Sequence, residues 1–292
     1  MVPVRMQSVS AVPPVARPNP RFSGRWLRLA AAICTLAFAV APTSATAGVR
    51  QQVLAARELR VCVVPDYAGI SLRDPRTGAL SGLDIDLSRQ LALYLGLKVR
   101  YVESDFVAFP SHLEKRVCDI AMMGIWVTSG RAARVAFSKT YLSSGAYAVA
   151  ARSNERIRTW RDVDNPSTLL AVLDNPDLLA RARAIVPHAT VVKVPVPKHI
   201  GNGSTVNEVM TGRADVYLVD YSMARQLQRD DNWGRVIAPP KFMPLTEIAW
   251  AVAKGDPEWL ETVNAFLAEL RRNGKLASAA ERFGLTPVVV RD

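Results

Sequence analysis

"LRVCVVPDYAGISLRDPRTGALSGLDIDLSRQLALYLGLKVRYVE", residues 59–103, carries the two periodicities from which an α/β fold is built. Leu59 to Val64 is a short apolar run, half of it valine, ended by Pro65, which is the pattern of a buried strand. The segment 73–82 holds Asp74-Pro75 and two glycines, which is turn chemistry. Leu83, Leu87, Leu91 and Leu95 then recur at every fourth position, and Gly96 follows as a stop signal, so an amphipathic helix is expected. Lys98 to Glu103 reads as the next strand. A short helix over 109–117 and a buried strand over 118–124 extend the pattern to βαβαβ, which argues for an α/β fold with parallel strand pairs.

The second half repeats this style. Strands are expected at 168–174, 190–196 and 214–220, with helices at 175–186, 204–212 and 221–229 between and after them. Asn175 is placed to cap the first of these helices and Pro176 to open it. A last strand, 247–255, runs into a well-marked helix. Asp256 caps it, Pro257 starts it, Gly274 ends it, and Leu260, Val263, Leu267 and Leu270 form its apolar stripe. Two α/β halves with a returning C-terminal helix suggest two lobes joined by crossing strands.

The start of the chain reads differently. Arg5, Arg17, Arg21, Arg25 and Arg28 form a basic leader without an acid, an apolar run covers Leu29 to Ala41, and Ala45-Thr46-Ala47 follows. This is the pattern of an export signal cut after Ala47. The run is short for a membrane span. The full chain of 292 residues has a formal net charge of +11; without the five leader arginines, 32 basic and 26 acidic residues remain, a charge of +6. No dense Lys/Arg run interleaved with aromatics points to nucleic acid. Of three cysteines, Cys34 lies in the leader, leaving Cys62 and Cys118. Both lie in strand-like contexts, and in an exported chain the pair is expected to form a disulfide, the alternative being two buried thiols.

Catalytic signatures are scarce. The chain has no G-x-S-x-G, P-loop, strand-following G-x-G-x-x-G or H-E-x-x-H motif, and no cofactor is expected. His112, His188 and His199 lack metal-ligand spacing. Gly201 to Ser204 offers either an anion nest or a plain turn. In "GIWVTSGRAARVAFSKTY", residues 124–141, Arg131 follows the strand end at which α/β sheets bind ligands, and its guanidinium suits a carboxylate. Local chemistry alone favours Arg131 and Arg134 as solvated charges on the next helix.

Taken in order, "GLDIDL" at 82–87, "CDIAMMGIWVTSGRAARVAFSKTYLSSG" at 118–145 and "GRADVYLVD" at 212–220 resemble the family 3 bacterial extracellular solute-binding proteins, with likeness across 58–285. The resemblance implies a type II periplasmic-binding-protein fold: two α/β lobes joined by two crossover strands, lobe one holding 48–144 and 249–292, lobe two 145–248. It implies a periplasmic receptor that delivers a small carboxylate-bearing solute to an inner-membrane ABC permease, without catalysis. Arg131 and Thr128 would hold an α-carboxylate, Asp220 an ammonium, and Tyr67 and Phe106 would sandwich the side chain, beside Gly124. Trp126 stands where the family often has threonine, and is expected to narrow the pocket or stack on a flat ligand. Asn175-Pro176 replaces a Gly-Thr whose N–H groups would serve the carboxylate. Two further readings stay open: a cyclohexadienyl dehydratase-like enzyme, and a solute-binding-like partner of a periplasmic quinoprotein dehydrogenase.

Overall fold

The computed structural model describes residues 48–290 except 197–202, 231–232, 242 and 244. The expected export leader, His199 and the first two residues of the 201–204 loop lie outside the described residues. The first elements are α1 (Val49–Ala56), β1 (Glu58–Val63), β2 (Asp66–Tyr67), β3 (Ser71–Arg73), β4 (Leu80–Ser81), α2 (Leu83–Tyr94), β5 (Lys98–Glu103), α3 (Phe109–Glu114), β6 (Ile120–Trp126), α4 (Ser129–Arg134), β7 (Val135–Phe137) and β8 (Leu142–Ser144). A second set follows: β9 (Tyr147–Ala151), α5 (Trp160–Val163), β10 (Leu169–Leu173), α6 (Pro176–Ile185), β11 (Thr190–Val194), α7 (Gly203–Met210), β12 (Val216–Val219), α8 (Tyr221–Asp230) and β13 (Gly234–Ile237). The chain then closes with β14 (Thr246–Ala253), α9 (Pro257–Arg272) and α10 (Lys275–Arg282).

Two large sheets result, together with a small three-stranded one of order β2-β3-β4. The first runs β5-β1-β6-β14-β7, with β8 also on β14. Its β1 pairs in parallel with β5 and β6, as the βαβαβ pattern requires, while β14 returns antiparallel. The second runs β11-β10-β12-β9-β13, parallel from β11 to β12, with β9 antiparallel to both its neighbours. The chain crosses from the first sheet to the second between Ser144 and Tyr147 and returns between Ile237 and Thr246. Thr246 to Ile248, given to the second lobe from sequence, pair with Ser144 to Leu142 in the first sheet, because β14 starts earlier than the apolar run suggests.

One apolar core surrounds the first sheet. The second sheet has two: Ala148, Ala150, Leu170 and Val216 face one way, and Val149, Ala171, Tyr217 and Val219 the other. Alternating residues of a strand point to opposite faces, so helices cover both. The caps act as expected. The Asn175 side chain accepts from the N–H groups of Asp177 and Leu178 at 3.0 and 3.2 Å, and Asp256 accepts from Trp259 N–H at 2.9 Å. The 73–82 segment is more ordered than a turn, since β3 and β4 pair across it as a hairpin.

Cys62 and Cys118 form a disulfide, with Cα atoms 5.6 Å apart, tying β1 to the start of β6. Asp84 is fully buried at the start of α2. It accepts from Trp250 Nε1 (3.0 Å), the Tyr141 hydroxyl (2.7 Å) and Gly124 N–H (2.8 Å), and so links α2, β6, β14 and the segment before β8. Among the described residues no helix is long and apolar enough to cross a membrane.

Candidate functional site: a charged cleft between the sheets

The C-terminal ends of β6, β10 and β12 converge on a cavity of about 160 Å³ between the two α/β units. Its wall includes Tyr67, Phe106, Gly124, Trp126 and Arg131 from the first unit, and Arg181 and Asp220 from the second. Six of the seven side-chain positions expected from sequence thus share one cavity. Thr128 stands directly behind it. Its hydroxyl caps α4 by accepting from Arg131 N–H at 3.2 Å, and donates across the cleft to Asp177 Oδ2 at 3.3 Å.

Arg131 is only 8 % exposed. Its guanidinium donates to the carbonyls of Trp126 (3.0 Å) and Phe106 (3.4 Å) and lies 5.7 and 5.6 Å from the Phe106 and Phe109 ring centroids. Burial lowers its pKa to about 10, with Asp177 acting in the opposite direction through space. It stays charged at neutral pH, and among the described residues its guanidinium donates to those two backbone carbonyls and to no carboxylate. The local sequence makes this possible. β6 is apolar to its end, and the capped turn at Thr128 folds the next residues back, so the arginine is carried inward.

Asp220 ends the loop from β12 to α8 and is 4 % exposed. One oxygen accepts from Met223 N–H at 3.0 Å, and the other accepts from the Tyr67 hydroxyl of the opposite unit. Burial raises its pKa to about 6, against the lowering effect of the Met223 and Ser222 N–H groups. The helix-capping and cleft-facing roles of this aspartate therefore coexist. Tyr67 and Phe106 do not flank a gap: their ring centroids are 5.8 Å apart at an interplanar angle of 81°, edge to face. Gly124 has φ +65°, and a β-carbon there would come within 2.8 Å of the Tyr67 ring. Only glycine fits both the backbone and the neighbour.

Two residues were not legible as site residues. Asp177 faces Thr128 and Arg131 as described. Arg181, one turn further along α6, holds its guanidinium carbon 4.2 Å from the Trp126 ring centroid, and its buried Nε has no hydrogen-bond partner. Burial, reinforced by the charge of Arg131, lowers its pKa to about 10. The i, i+4 spacing of Asp177 and Arg181 reads as a surface ion pair. What could have found Arg181 is its place among Leu178, Ala182 and Ile185, all of which line the cavity. Trp126 is stacked on this arginine, so one face is already covered. The N–H groups at the start of α6 are satisfied by Asn175.

The other titratable candidates lie elsewhere. His112 contacts Ser104 Oγ at 3.0 Å and His188 contacts Asp164 at 3.0 Å. Among the described residues no cluster of His, Cys, Asp or Glu is placed to hold a metal ion.

The sequence profile of the bacterial extracellular solute-binding proteins, family 3, matches residues 59–286. The L-cystine-binding protein of Escherichia coli is 24 % identical over 207 residues, covering 70 % of this chain and 75 % of that protein. Cyclohexadienyl dehydratase of Pseudomonas aeruginosa is 28 % identical over 251 residues, covering 86 % and 91 %. Among solved structures, an ancestral amino acid-binding protein described as a precursor of cyclohexadienyl dehydratase superposes with a TM-score of 0.68 at 27 % identity, covering 81 % of this chain and 99 % of that one.

Proposed function

Because the chain belongs to family 3 of the bacterial extracellular solute-binding proteins, we propose that it is the periplasmic solute receptor of an ABC importer, capturing a small carboxylate-bearing solute, an amino acid or a derivative. The observation that carries this reading is Arg131: a buried guanidinium in the interlobe cavity, donating only to backbone carbonyls and charged without an ion-pair partner among the described residues. Such a group favours a carboxylate, which it can hold by two parallel hydrogen bonds. Thr128 positions it by capping α4. Asp220, with Tyr67 against it, supplies the negative charge for an ammonium, and Phe106, Gly124 and Trp126 set the cavity's shape.

In this reading the lobes, 48–144 with 246–292 and the intervening 145–245, open and close on the segments that cross between the sheets. The closed form presents the surface that an inner-membrane permease receives. Capture proceeds without chemistry.

A second reading has one observation in its favour. A relative aligned over most of both chains is a dehydratase, and here Asp177 brings a carboxylate to the cleft opposite Thr128. A dehydration needs a general acid at the departing hydroxyl. One experiment separates the two. Thermal denaturation is followed with amino acids, dicarboxylates, prephenate and arogenate, and the last two are also assayed for product. Saturable stabilisation by a carboxylate solute, without turnover and lost in Arg131→Ala, supports the receptor. Formation of phenylpyruvate or phenylalanine makes the protein an enzyme, and unchanged affinity in Arg131→Ala removes the anchor on which the proposal rests.

A further inference from the structure

We infer that the cleft contains a second carboxylate site, at Arg181, and that the captured solute is a dicarboxylic amino acid. This rests on the solute-capture reading and narrows it.

Arg181 is held rather than loose. Its guanidinium lies 4.2 Å from the Trp126 ring centroid across the cleft, and the side chain lines the same cavity as Arg131. Stacking of this kind orients the guanidinium plane and leaves its edge available, which is the geometry for taking a carboxylate. Yet the Nε is buried without a hydrogen-bond partner, and among the described residues no acid stands at ion-pair distance. Leaving a buried donor unmade costs free energy that a bound acceptor would recover. The neighbouring charge of Arg131 adds to the cost of keeping this cation buried.

The charges lining the cavity decide the class of solute. Among the described residues that line the cavity, Arg131 and Arg181 are cations and Asp220 is the one carboxylate, while Asp177 is turned to Thr128 outside the lining. A zwitterion with a neutral side chain would satisfy Arg131 and Asp220 and leave Arg181 unmatched. A basic amino acid would bring a third cation between two others. A solute with two carboxylates and one ammonium matches all three groups and leaves no charge over. The cavity of about 160 Å³ suits a short one.

The test is calorimetric titration of the purified protein with L-aspartate and L-glutamate, with their amides L-asparagine and L-glutamine, and with L-arginine. A diacid is expected to bind about tenfold or more tightly than its own amide, as loss of a charge-assisted pair predicts. Arg181→Gln should bring that ratio close to one, and Arg181→Lys, which keeps the charge but not the fork, should restore part of it. Each variant's thermal denaturation checks that it folds. An amide that binds as well as its acid, or arginine as the best ligand, overturns this inference and leaves the receptor reading standing. No saturable binding by any of the five overturns this inference, and the receptor reading is then decided by the wider solute panel.

Discussion

The hydroxyl of Tyr67, on a short strand outside the first sheet, donates to the carboxylate of Asp220, which follows β12 of the second. The pair joins the two units at the cavity wall and keeps the acid away from water. Burial therefore dominates, and the Asp220 pKa rises from 3.8 to about 6. A carboxyl raised in the folded state contributes stability that is complete below pH 3.8 and is lost as the pH rises through about 6. The shift corresponds to roughly 3 kcal/mol at ~1.4 kcal/mol per unit. Asp220→Asn should flatten the fall in denaturant stability between pH 4 and 7, leaving a remainder from Asp84, whose pKa is also raised to about 6 by burial. Parallel curves for the two proteins would show that Asp220 is not the titrating group.

Ionisation of Asp220 should also govern binding. If it receives an ammonium, the solute prefers the ionised form, so affinity rises as the pH climbs from 5 to 7 and protons leave on binding. Calorimetry in buffers of different ionisation enthalpy measures that release directly. Asp220→Asn should abolish the release and weaken an ammonium-bearing solute by at least about tenfold, the scale of a lost charge-assisted hydrogen bond. A release that persists in the variant would place the titrating group elsewhere.

Asp84 holds three donors from three parts of the first lobe, and one of them is the N–H of Gly124 on the cavity wall. Asp84→Ala would leave all three buried without an acceptor. At about 1–3 kcal/mol for each unsatisfied donor, a loss of more than about 3 kcal/mol is expected. Asp84→Asn keeps one acceptor oxygen and should lose less. Urea unfolding of the two variants checks the order. Equal stability of Asp84→Ala and the parent protein would mean that the donors find other partners.

The disulfide closes a loop with a sequence separation of 56 residues. Chain entropy assigns such a link roughly 4 kcal/mol. Reduction, or the double substitution Cys62→Ala with Cys118→Ala, should lower the melting temperature by several degrees. The bond lies in the first sheet, away from the cavity wall, so solute affinity should stay close to that of the parent. A melting temperature indifferent to reductant would remove this bond as a source of stability.

The sequence makes the βαβ units legible because their signals are local. Leu59 to Val64 and Leu169 to Leu173 are apolar runs of strand length, and Asn175 and Asp256 mark helix starts through side-chain chemistry alone. The strands that went unread are those whose identity depends on distant partners. Tyr147 to Ala151 is rich in alanine and becomes a strand only through pairing with 216–219 and 234–237. The site divides the same way. Arg131 stands out because it follows a strand end, and the family resemblance brought in Asp220. Arg181 gives no such signal, since only the packing of Trp126 against it across the cleft separates it from a surface arginine.

Gly130 shows how closely the two lobes approach. It lies in the first turn of α4, and a β-carbon there would overlap the carboxylate of Asp177 on α6. Alanine should not disturb α4 itself, because it is the better helix former by about 1 kcal/mol. The conflict arises only when α4 and α6 come together, as they do here through Thr128 and Asp177. Gly130→Ala should therefore leave the folded lobes intact but disfavour the closed form. The apparent affinity for the solute should fall in proportion to the lost closed population, with Arg131 and Asp220 untouched. Small-angle scattering should show a larger radius of gyration in the presence of solute than the parent protein has. Unchanged affinity and radius would mean that Asp177 moves aside at little cost, and that closure does not depend on this contact.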